Sequence, residues 1–154
     1  MPWFKKSSPG EPATPVAAPE IEPLTEDEVV WVRTTIAALT EQDVRVGDID
    51  DLGRHFDELL TEWLRLREPD RPDPAGVVNQ IGLAFGQYVA DHTDLEWAVA
   101  TDQTGPDIAL HRPRSDGSVV VYPTDLVSRR WQSEEMHMLP SLARTTIDTV
   151  SRIP

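Results

Sequence analysis

Two glycines four residues apart, Gly82 and Gly86, interrupt a segment whose large side chains otherwise recur with a helical period, and they constrain the fold most. Each interior glycine costs a helix roughly 0.5–1 kcal/mol relative to alanine. A helix that keeps two on one flank therefore needs another element to come close there and offset the loss. Asp73-Pro74 supplies its start, with an N-cap and a proline whose missing N–H is harmless at that position. Val78, Ile81, Phe85, Tyr88 and Val89 form its large-residue face, with Ala75 and Ala90 near the glycines. No run in the chain approaches the ~18 apolar residues of a membrane span, so the spacing means tight helix-on-helix or helix-on-sheet packing.

Two helices precede it. Thr25-Glu26-Asp27-Glu28 reads as a capping box, and Val29, Val32, Ile36 and Leu39 then recur at helical spacing over 25–41, with Trp31 off the stripe. Ile49, Leu52, Phe56, Leu59, Trp63 and Leu66 step by three and four in a second helix that must stop before Pro69. Aspartates crowd its start and arginines its end, as the helix dipole prefers.

Three short strands follow, over 95–101, 108–112 and 119–122. Ser115-Asp116-Gly117 is a hairpin signal, while 102–106, with Gly105-Pro106, reads as a looser turn. Loops this short make an antiparallel meander, and a register pairing Trp97 with Leu110 sets Glu96 opposite His111. A helix capped by Thr124, a further start at Ser133-Glu134-Glu135, and a stripe of Leu139, Leu142, Ile147 and Val150 complete the chain, with Pro140 in a first turn. The expected fold is α+β: two or three N-terminal helices packed with a three-stranded antiparallel meander and C-terminal helices. Residues 25–154 form the single domain. Residues 1–24 hold Pro2, Pro9, Pro12, Pro15, Pro19 and Pro23 and too few large apolar groups to offset ordering, so they read as a disordered tail with a Trp3-Phe4-Lys5-Lys6 tip.

Composition excludes several functions. The 154 residues contain no cysteine, which removes disulfides, thiolate chemistry and zinc–sulfur sites. The 27 acids against 14 lysines and arginines give a formal charge of −13, which repels phosphate backbones, and no basic patch stands out, so no nucleic-acid partner is expected. The start of the chain lacks the apolar stretch of a secretory signal, and a cytoplasmic location without a membrane span is the default.

The block Ile81-Gly82-Leu83-Ala84-Phe85-Gly86, the Glu96-Trp97 pair, the turn from Thr101-Asp102 through Gly105-Pro106-Asp107, and Val121-Tyr122-Pro123 resemble the bacterial domain of unknown function 3806. Met138-Leu139 is similar too, and the resemblance covers about residues 75–150. It implies a small α+β domain and brings no activity, cofactor or catalytic residue with it.

Reactive side chains stay dispersed. His55, His92, His111 and His137 show no HxH, HxxxH or HExxH spacing, and no Gly-x-Ser-x-Gly elbow is present. His55 stands four residues after Asp51, as in a helix-surface pair. Asp102, Asp107 and Asp116 fall at strand turns, where a short carboxylate bonds nearby backbone N–H groups. No catalytic, metal or cofactor residue is assigned. The expected function is a non-catalytic protein-interaction domain, binding a partner protein or a second copy, with an acidic immunity- or antitoxin-type inhibitor of a basic toxin as the sharper form. The expected contact surface is a second sheet face of Ala98, Ala100, Ala109, His111, Val119 and Val121, too apolar to stand bare; either a helix or a partner covers it. The alternative is an enzyme or small-ligand site gathered around His111, Glu96, Asp102 and Asp107. An interaction module requires an exposed apolar patch, a ligand site a concave pocket of converging polar groups.

Overall fold

A computed structural model describes residues 18–114 and 119–154. The Trp3-Phe4-Lys5-Lys6 tip and the Ser115-Asp116-Gly117 turn lie outside the described residues. In chain order the elements are β1 (Glu20–Glu22), α1 (Glu26–Glu41), α2 (Ile49–Arg65), α3 (Ala75–Asp91), β2 (Glu96–Asp102), β3 (Gly105–His111), β4 (Val120–Val121), α4 (Pro123–Gln132) and α5 (Leu139–Arg152). The class is α+β, and the sheet is an antiparallel meander in the order β1-β2-β3-β4. It has four strands rather than three. The extra one, β1, falls in the stretch read as tail, because Ile21 between two glutamates pairs with Ala100 on the open edge of β2. A three-residue strand that carries exposed charge suits an edge.

Local signals account for most boundaries. The Thr25 hydroxyl accepts the Glu28 N–H at 3.2 Å and the Glu28 carboxylate accepts the Thr25 N–H at 2.9 Å, completing the capping box. Asp48 accepts the N–H groups of Asp50 and Asp51 to open α2. Asp73 accepts the Ala75 N–H at 3.0 Å as α3 begins. The buried row of α2 is Leu52, Phe56 and Leu60, rotated from the expected Leu59 and Leu66 because α2 packs along a four-residue ridge. Leu66 lies past the helix end and is exposed. The expected loose turn at 102–106 is instead a two-residue turn, Gln103-Thr104, closed by Asp102 Oδ1 accepting the Thr104 N–H at 2.7 Å and by Gly105 at φ +112°. α4 starts at Pro123, not with a Thr124 cap, and α5 at Leu139, with Pro140 in its first turn. Ser133-Glu134-Glu135, read as a further helix start, lies instead in the turn 133–138, which has positive φ at Glu134 and His137.

α3 is the axis of the molecule. Every residue from Ile81 to Gly86 is buried, and α1, α2, α4 and α5 all pack against this helix. The glycines are where its neighbours come closest. A methyl group on Gly82 would stand 2.7 Å from Thr124 Cα, and one on Gly86 would stand 2.5 Å from the Trp97 ring and 2.8 Å from Pro123. Gly82 thus seats the start of α4, and Gly86 admits both that start and the sheet. The sheet meets the helical core through Leu95 and Leu110, with Trp97, Ile108 and Val121 packed beside them.

Candidate functional site

The register pairs Trp97 with Leu110 and Glu96 with His111, as expected. The side chains of Glu96 and His111 nevertheless form no hydrogen bond with one another, and Glu96 is exposed. Asp107 lies four residues from His111 along β3, about 13 Å at the rise of a strand. The four residues of the alternative site therefore divide into two ends of one sheet face, and Tyr122 and Asp125 join the Asp102–Asp107 end.

The expected contact surface is corrected. Ala98, Ala100 and Ala109 are 0% exposed and Val119 is buried, while His111 and Val121 are half-buried. Val121 pairs with Leu110, whereas Ala109 pairs with Ala98, so the six residues do not share a face. The four buried residues offer no open surface.

His55 does not pair with Asp51 either. The Asp51 carboxylate accepts the Arg45 N–H at 2.8 Å and bonds Arg54, which holds its pKa below the usual carboxylate range. Burial pushes the His55 imidazole down. His92 caps α3 through its Nδ1, 2.8 Å from the Tyr88 carbonyl. His137 lies beside a polar trough of about 570 Å³ on α2, where Asp57 accepts its backbone N–H at 3.0 Å. That trough is a tether for the turn between α4 and α5. Among the described residues no three His, Asp or Glu side chains gather as metal ligands, and no helix is long and apolar enough to cross a membrane.

Two further concave regions bear on function. The first is an apolar groove of about 490 Å³ between α1, the end of α3 and β2, lined by Leu24, Val29, Val32, Arg33, Ile36, Gln87 and Trp97. The four α1 residues recur at i, i+3, i+4 and i+7 and so share one helical face. The Trp97 indole N–H donates to Gln87 Oε1 at 3.0 Å, which fixes the ring as a wall. Val29 is 37% exposed, and along the same turn Val30 and Trp31 are 57% and 48% exposed. Glu20, Glu22, Glu26 and Asp27, all exposed, line the chain that leads into this region. Sequence periodicity assigned Val29 to the core stripe; it lies at the edge because β1 and Leu24 stop short of covering it.

The second is a polar pocket of about 420 Å³ where the starts of α3 and α4 meet β3. Asp73, Asn79, Asp107, Thr124, Asp125, Ser128 and Gln132 line it, with Val78 and Trp131 as its apolar wall. Burial, helped by the charges of Asp125 and Asp102, raises the Asp107 pKa to about 6, against the opposing bond from the Ile108 N–H. Burial also raises Asp125, which Arg129 pulls back through an ion pair at 2.6 Å. Tyr122, near Asp102 and Asp107, is pushed up by burial and by those charges. Of these groups the sequence singled out only Asp107 and Asp102. Asp125 and Trp131 carried no local signal, since they reach the pocket only after α4 folds onto α3.

The family model described as Domain of unknown function (DUF3806) matches residues 58–139, a little over half of the chain. The match begins inside α2 and ends at the start of α5, so it spans the polar pocket and leaves α1 outside. No curated protein and no solved structure matches the chain.

Proposed function

The chain belongs to the DUF3806 family, and from that premise we propose that it is a cytoplasmic, non-catalytic protein-interaction module whose contact surface is the α1 groove. The observation that carries this reading is Val29, exposed in an apolar trough walled by Ile36 and Trp97, with Val30 and Trp31 exposed on the same turn of α1. Soluble domains rarely leave tryptophan and valine together at the surface without use, and tryptophan is the residue most enriched at binding hot spots. The partner suited to it presents an apolar side chain for the trough and basic residues for the flanking glutamates and for the overall charge of −13. An inhibitor of a basic toxin, of the immunity or antitoxin type, is the sharper form of this reading. A second copy of the chain is the other occupant of the same surface.

Affinity capture from native lysate tests it, with the wild-type chain, Val29→Glu, and, as the control, Arg144→Glu, a larger charge change at an exposed position of α5. A stoichiometric partner, or the chain's own second copy, that is retained by Arg144→Glu and lost by Val29→Glu supports the reading. Capture of nothing, or equal capture by all three chains, contradicts it.

A further inference from the structure

The polar pocket is a separate matter from the groove, and its chemistry starts with Asp107. Oδ1 of this carboxylate accepts the Ile108 N–H at 2.9 Å; Oδ2 is buried and meets no donor. Trp131, which lines the same pocket, is 4% exposed and held by edge contacts with Phe56 and Trp63 at 5.6 Å, and its indole N–H meets no acceptor. Buried polar groups are nearly always hydrogen-bonded, and leaving one unmet costs stability. One unmet acceptor and one unmet donor in the lining of a single pocket define complementary needs in a ligand.

Charge sets the rest. Asp73, Asp107 and Asp125 outnumber the one cation paired there, Arg129, so the pocket favours a positive donor and disfavours a carboxylate or phosphate. Because only Oδ2 of Asp107 is open to a new bond, a single-point ammonium suits it better than the two-pronged fork of a guanidinium. The Thr124 and Ser128 hydroxyls add neutral polar contacts.

We propose that this pocket binds a small amine bearing a neutral hydrogen-bond acceptor, an amino alcohol or amino amide, with its ammonium on Asp107 Oδ2 and its acceptor on the Trp131 indole N–H. Asn79 and Gln132 are exposed members of the lining, and their movement admits the ligand to the two buried atoms.

The test is a ¹H–¹⁵N NMR titration of the full chain at pH 7.5 with ethanolamine and with glycinamide, following the indole resonance assigned through Trp131→Phe. Tetramethylammonium, which has the charge but no N–H, and acetate are the controls. Expected is a saturable shift of that resonance with both amines, at least tenfold weaker affinity in Asp107→Asn, and no saturable response to either control. Ala75→Trp, at an exposed lining position, blocks the mouth while keeping Asp107 and abolishes the shift. Absence of a saturable shift, an equal response to tetramethylammonium, or unchanged affinity in both variants overturns the proposal.

Discussion

The α1 groove and the α3–α4 pocket lie against the same central helix, the pocket at Val78 and Asn79 and the groove at Gln87, yet they are built on opposite principles. The groove's wall is satisfied: the Trp97 indole has its acceptor, and what stands open is apolar surface. The pocket's wall is unsatisfied: it holds a buried carboxylate oxygen and a buried indole N–H without partners. Exposed apolar area favours a macromolecular surface and is nearly neutral for folding once one residue is concerned. Buried unmet polarity opposes folding and is kept where a ligand repays it. The difference gives each region its own signature in stability measurements.

The largest effect separates them through the core. Phe56 is fully buried and its ring meets Trp131 edge-on. Phe56→Ala is expected to lower stability by about 3–5 kcal/mol in chemical denaturation, and to broaden the Trp131 indole resonance while leaving that of Trp97 sharp. Gly82→Ala comes next. The added methyl collides with the Thr124 backbone, which cannot swing away, so the loss is about 1–3 kcal/mol despite the gain in helix propensity. Gly86→Ala meets the far end of the Trp97 ring as well as Pro123. It disturbs groove and pocket together, whereas Gly82→Ala disturbs the pocket alone.

A smaller effect has the opposite sign. The folded-state pKa of Asp107, about 6, is raised above its unfolded value, so the proton is held more tightly by the folded protein. Stability from this group is fully present below the unfolded value of 3.8 and is lost as pH rises through 6. Asp107→Asn removes the charge without changing shape. It is expected to stabilise the protein by about 1–2 kcal/mol at pH 7.5, after allowing for partial solvent screening, and by nothing at pH 4. Denaturation curves at the two pH values check this, and a destabilised variant at pH 7.5 would mean the carboxylate is structural. The smallest effect belongs to the groove. Trp31→Ala, on the exposed side of α1, should change stability by no more than about 0.5 kcal/mol while reducing partner capture.

The elements were legible in the sequence where a local signal set them. Thr25-x-x-Glu28 fixed the start of α1, and Asp73-Pro74 that of α3. The pair of glycines announced a close approach, and alternation alone gave the Trp97–Leu110 register. What sequence periodicity could not give was the neighbour. It could not show that Thr124 and Pro123 are what fill the space beside Gly82 and Gly86, or that Ala98, Ala100 and Ala109 are closed to solvent. β1 escaped because three residues flanked by prolines carry no strand period and are ordered by the edge of β2. Asp107 was visible as a turn residue. Its role as a half-buried acid depends on Asp125, which lies 18 residues further along the chain and arrives with α4.

The most direct test of the whole account follows two resonances in one labelled sample. The indole N–H groups of Trp97 and Trp131 report the groove and the pocket respectively, and each is recorded during titration with the captured partner and then with ethanolamine. The partner is expected to move Trp97 and leave Trp131 in place, and ethanolamine to do the reverse. A partner that moves only Trp131, or an amine that moves only Trp97, would contradict it.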